Sequence, residues 1–164
     1  MKTAFLFPGQ GAQTVGMGAD IAAAYPKAAA LFDKAGEIVG YDLKKICFEG
    51  PEEKLNSTEV SQPAIFVTSA AILEVMREDA ATAGIKCDVT AGLSLGEYTA
   101  LYAAGVISFE EGVSLVQKRG QAMQAAADAS EGAMVSIIGL EPDKVAAICE
   151  EASQGDVLTP ANFN

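Results

Sequence analysis

Val89-Thr90-Ala91-Gly92-Leu93-Ser94-Leu95-Gly96-Glu97 reads as a buried strand that runs into a sharp turn and then a helix, with a serine at the apex. Gly92-x-Ser94-x-Gly96 is the nucleophile-elbow pattern. The two glycines remove the Cβ atoms that would clash in so tight a bend. The helix that follows aims its unpaired N–H groups and its positive dipole end at the serine oxygen. Negative charge develops there when a serine attacks an acyl carbon. At ordinary glycine and serine usage, G-x-S-x-G arises by chance in roughly one chain in twenty of this length. The flanks therefore matter: Asp88 to Ala91 is strand-compatible and Glu97 to Ala104 helix-compatible. Taken alone, the stretch also reads as a tight turn with a serine helix cap.

Working outward, Thr3-Ala4-Phe5-Leu6-Phe7 is a continuous apolar run and predicts a central strand covered on both faces. It ends in Pro8-Gly9-Gln10-Gly11-Ala12-Gln13, a glycine-rich loop at the carboxyl end of a strand, where open α/β sheets bind ligands. The loop matches neither G-x-G-x-x-G nor G-K-[ST], so nucleotide fingerprints are excluded. Helices are predicted over 18–25, from Pro26 to a stop at Gly40, over 43–48 behind an Asp42 cap, and briefly after Pro51. Ser61-Gln62-Pro63 signals the start of a long helix reaching about Thr82. Beyond the elbow, Ser108-Phe109-Glu110-Glu111 is a capping box that opens another long helix. A boundary falls near residue 128. After it come a strand over 134–138, a helix over 142–152 and a strand at 157–158. The expected domains are thus 1–128 and 129–164. Two strands among so many helices make a poor sheet, and the first domain is expected to be incomplete.

The bulk numbers narrow the function. With 164 residues the chain can bury a real core. A net charge of −11 argues against nucleic acid as a partner. No apolar run approaches a membrane span, and no signal peptide is read, so no membrane association is expected. The three cysteines Cys47, Cys87 and Cys149 show no metal-ligand spacing and read as reduced core thiols of a cytoplasmic protein. No metal or other cofactor is expected. The chain has no histidine, although a serine nucleophile ordinarily takes its base from one.

Phe7 to Gln13, Ser61 to Ala64, Gly92 to Tyr98, Lys118 to Gln124 and Asn162 to Asn164 stand in one order along the whole chain. Together they resemble the bacterial malonyl-CoA:acyl carrier protein transacylases, a family related to the acyltransferase domains of fatty acid and polyketide synthases. The resemblance implies an α/β fold: an α/β-hydrolase-like core, incomplete here, with the start of an inserted ferredoxin-like subdomain. It implies transfer of malonyl from malonyl-CoA to the phosphopantetheine thiol of acyl carrier protein, in fatty acid biosynthesis. Ser94 would be the nucleophile, and the N–H groups of Gln10 and Leu95 the oxyanion hole. Arg119 would bind substrate by its carboxylate, with Gln62 and Asn162 lining the pocket. The residues alone leave Arg119 two readings, since it could instead pair on the surface with Glu111, two helical turns away. Met123 reads as core. The family elbow has histidine where Leu93 stands, and the family is about twice this length, with its base histidine beyond residue 164. The full-length protein is expected to be a monomer. The competing expectations are a non-catalytic fragment that binds acyl groups or a partner, and a serine thioesterase or hydrolase.

Overall fold

Parallel strands need a long connection between them, and here it supplies most of the core. The structure is a computed structural model that describes residues 2–129 and 131–163. Strand β1 (Ala4–Phe7) is followed by helices α1 (Ala19–Ala24), α2 (Pro26–Val39), α3 (Leu43–Glu49), α4 (Glu52–Asn56) and α5 (Thr58–Glu78). Strand β2 (Val89–Gly92), α6 (Gly96–Ala103), α7 (Phe109–Asp128) and α8 (Pro142–Ser153) complete the order. The chain divides into two compact units, Met1–Ser130 and Glu131–Asn164.

In the first unit β1 and β2 pair in parallel, with Ala4 opposite Val89 and Phe7 opposite Gly92. Both ends of the ladder are pinned. The Thr3 N–H donates to the Asp88 carboxylate at 2.7 Å, and the Asp88 N–H donates to the Thr3 carbonyl at 2.9 Å. At the other end the Leu93 N–H reaches the Phe7 carbonyl. This register delivers the Pro8 loop and the elbow to the same edge. The expected double covering of β1 is not found: Leu6 is 75% exposed. Among the described residues only β2 pairs with it, and its residues alternate between exposed and half-buried.

The core lies among α2, α5 and α7, around the fully buried Phe32, Phe66, Val67, Val113 and Val116. Glycine sets how closely α5 and α7 approach. A Cβ on Gly120 would lie 2.9 Å from the Thr58 carbonyl oxygen and 3.0 Å from the Glu59 Cα. One on Gly112 would overlap the Phe66 ring. Phe66 in turn stacks on Phe109 at 6.0 Å. The capping box forms as expected, with the Ser108 N–H on Glu111 at 2.8 Å and the Glu111 N–H on the Ser108 hydroxyl at 3.2 Å.

Two expectations need correction. Helix α5 begins at Thr58, five residues before Pro63, so Pro63 sits inside it. The proline leaves the Glu59 carbonyl without its helical donor, and the Tyr41 hydroxyl points at that oxygen from 3.5 Å. In the second unit, helix α8 forms, but 134–138 and 157–158 form no ladder among the described residues. A strand is stabilised by a partner, and these segments have none; Ile138 is 92% and Val157 95% exposed.

Glu74 ties α5 to α2 and α6 by accepting from Lys27, Arg77 and the Tyr102 hydroxyl at 3.0, 2.6 and 2.8 Å. Burial pushes its carboxyl pKa up, but the hydrogen bonds from Tyr102, Lys27 and Arg77 outweigh burial, and the net shift is downward. A carboxyl lowered by folding stabilises fully above its unfolded value of about 4.3, and that contribution is lost as pH falls through the folded value. Urea unfolding between pH 6 and pH 3 should therefore show a steeper acid loss in the wild type than in Glu74→Gln; parallel curves would contradict this. Gly120→Ala should cost about 1–2 kcal/mol, overpacking outweighing the gain in helix propensity. Gly84→Ala, where a Cβ meets nothing within 4 Å, serves as the neutral control.

Candidate active site

The elbow is built by backbone pressed against backbone. A Cβ on Gly92 would overlap the Gly96 carbonyl, and one on Gly96 would overlap the Phe7 carbonyl and sit 2.9 Å from the Pro8 oxygen. Gly9 closes the contact from the other side, where a Cβ would lie 2.7 Å from the Leu93 carbonyl oxygen. Between the glycines Ser94 adopts φ 52°, the left-handed region that side chains other than glycine avoid. Leu95 is fully buried and anchors the turn, while Ser94 and Leu93 are exposed. The motif spacing is thus a steric requirement of the fold.

The Pro8 loop is braced against the end of α4 and the start of α5. Gln10 Nε2 points at the Thr58 hydroxyl at 3.5 Å, the Gly11 N–H donates to Gln13 Oε1 at 2.8 Å, and Gln13 Nε2 donates to Asn56 at 2.9 Å. Among the described residues, neither the Gln10 nor the Leu95 backbone N–H donates to a protein acceptor. Two free donors therefore lie on the two segments that Gly9 and Gly96 hold together.

Arg119 comes to this edge from α7. Its Nη2 donates to Ser94 Oγ at 2.8 Å and its Nη1 to Gln62 Oε1 at 2.7 Å. Gln62 is fully buried, and its Nε2 donates to the Met123 sulfur at 3.1 Å. That contact turns the amide so that its oxygen faces the guanidinium. The Tyr98 ring lies under the guanidinium carbon, 5.8 Å from centroid to Cζ. The surface pairing with Glu111 does not occur. Glu111 is held by Ser108, whose backbone N–H keeps its carboxyl below the usual range. Among the described residues Arg119 has no acidic partner.

The structure thus brings Ser94, Arg119 and Gln62 into direct contact and sets Gln10 and Leu95 on the joined loops. Asn162 lies in the second unit, exposed and outside regular structure. Sequence reasoning missed two residues: Met123 and Tyr98. Met123 is 41% exposed, not core. For Met123 the overlooked signal is helical spacing, four residues after Arg119 on α7; Tyr98, in the first turn of α6, carried no such signal. Among the described residues no cluster of acidic or cysteine side chains could hold a metal ion. Burial pushes the Cys47 thiol up to about 12, which makes it a poor nucleophile.

The acyl transferase domain family matches residues 4–160 of this chain. A malonyl CoA-acyl carrier protein transacylase of Escherichia coli strain K12 is 48% identical over 161 residues, 98% of this chain and 51% of the relative. The crystal structure of an acyl carrier protein S-malonyltransferase from Vibrio cholerae has a TM-score of 0.90 at 47% identity, over 100% of this chain and 53% of that one. A malonyl-transacylase solved with its type II polyketide acyl-carrier protein has a TM-score of 0.86 at 40% identity, over 99% of this chain and 52% of that one. The chain spans about half the length of the curated relatives it matches.

The strain at Ser94 is measurable. Ser94→Gly and Ser94→Ala both lose the hydroxyl, but only glycine relaxes the positive φ. The glycine variant should be the more stable in urea by about 1 kcal/mol. Equal stabilities would show that the elbow stores no strain.

Proposed function

This chain belongs to the acyl transferase domain family, and from that premise we propose that it carries the nucleophile and substrate clamp of a malonyl-CoA:acyl carrier protein transacylase serving fatty acid biosynthesis. The observation that carries the reading is an arginine that has no acidic partner among the described residues and is hydrogen-bonded to the elbow serine at 2.8 Å. In a malonyl thioester only one methylene separates the reacting carbonyl from the carboxylate. A cation beside the nucleophile therefore suits the far end of that short diacid. A guanidinium fork matches a carboxylate in two-point contact.

Ser94 Oγ attacks the malonyl thioester carbon, forming a carbon–oxygen bond. The carbonyl oxygen becomes an oxyanion and accepts from the Gln10 and Leu95 N–H groups, donors worth about 3 kcal/mol or more. Collapse breaks the carbon–sulfur bond, expels the coenzyme A thiolate and leaves malonyl-Ser94. The carrier protein's phosphopantetheine thiol then attacks the ester and regenerates the serine, which is ping-pong chemistry. The serine proton needs a base. With no histidine among these 164 residues, the base comes from outside them.

We read the fold as an α/β-hydrolase-like core over 1–128, with a ferredoxin-like subdomain beginning over 129–164. Support comes from the likeness to malonyltransferase structures and the division of the chain near residue 130. Asn162 is proposed as a substrate-binding residue on family likeness alone. The whole protein works as a cytoplasmic monomer without cofactor; the three free cysteines support a reducing compartment. Among the described residues no helix is long and apolar enough to cross a membrane.

The test is transfer of labelled malonyl in the full-length protein. Ser94→Ala should yield no labelled acyl-enzyme. Arg119→Ala should cost roughly 100-fold in kcat/KM for malonyl-CoA through the loss of two charged hydrogen bonds. The purified 164-residue chain should give no transfer to carrier protein. Robust turnover from it would refute the external base, and full malonyl loading of Arg119→Ala would refute the clamp.

A further inference from the structure

We propose that Tyr98 is a positioning residue for Arg119, holding the guanidinium in place by its ring face without neutralising it. The inference rests on the carboxylate-clamp reading above. Arg119 is half-buried, and among the described residues its guanidinium meets a hydroxyl, an amide oxygen and an aromatic ring. None carries a formal charge, so the cation keeps its full attraction for an anionic ligand. A carboxylate at position 98 would fix the same side chain but would compete with the substrate for it. A ring face attracts the cation electrostatically and leaves its N–H edges free.

The ring also outlasts the other contact from the elbow helix. Ser94 Oγ becomes an ester oxygen once the serine is acylated, and an ester oxygen is a poorer acceptor than a hydroxyl. At that stage Gln62 and Tyr98 are what still locate the guanidinium. Tyr98 suits this task because it is half-buried and packed against the core. It also sits in the first turn of α6, the helix that opens directly after the serine turn.

The experiment compares kcat and KM for malonyl-CoA and acetyl-CoA in the full-length protein. Tyr98→Met keeps the bulk but removes the ring. It should lower the malonyl-over-acetyl preference about three- to tenfold, mainly through a higher KM for malonyl-CoA. Tyr98→Phe keeps the ring and should hold the preference within about twofold. Arg119→Ala should abolish the preference. If it does not, the carboxylate clamp itself is wrong. If it does while Tyr98→Met retains the preference, the clamp stands and the role of Tyr98 is overturned. A Tyr98→Phe loss as large as the methionine loss would also overturn it, because the hydroxyl would then be the active part. Should the methionine variant unfold, NMR of the wild type decides. Ring current should move the Arg119 Hδ resonances upfield of their random-coil positions, and their absence there would reject the contact.

Discussion

The structure depends on one close approach, the carbonyl end of β1 against the turn after β2. Phe7, Pro8 and Leu93 present backbone oxygens to Gly96 and Gly9 at distances no Cβ would allow. This contact holds the first loop against the serine turn, which places free backbone N–H groups on both. It also forces Ser94 into a left-handed conformation. The exposed hydroxyl is a consequence of that geometry. Strain is tolerated there because the surrounding backbone leaves the residue no alternative.

A second arrangement builds on the first. α7 is brought close to α5 by Gly112 and Gly120, and the approach carries Arg119 to Gln62 and on to Ser94. Gln62 would be costly to bury with an unsatisfied amide. Met123 accepts from one end and Arg119 donates to the other, so burial becomes a means of orientation. Among the described residues the guanidinium is held by neutral groups alone. A salt bridge to Glu111 would have fixed it as well and left little charge for a ligand, but Glu111 serves as the cap of its own helix.

Much of this was legible in the residues. The elbow glycines, the Pro8 loop, the Asp42 cap and the Ser108 capping box each act within a few neighbouring positions, and each is where it was read. The misreadings share a cause in distant partners. Pro63 looks like a helix start, yet α5 begins earlier, where Tyr41 approaches the carbonyl the proline leaves without its helical donor. Residues 134–138 are apolar enough to read as a strand, but apolar residues alone supply no ladder. Met123 looks like core because methionine usually is, and its contact with Gln62 spans 61 residues.

The sequence by itself determined the serine turn, because glycine and serine at that spacing encode a backbone shape that neighbouring atoms enforce. It also determined the lack of an imidazole base, a matter of composition. Only the tertiary structure decided where Arg119 points. Its partners lie 25 and 57 residues away, and a long side chain with many rotamers is placed by what surrounds it. The packing of α7 on α5, set by Gly112 and Gly120, turns it toward Gln62 and Ser94.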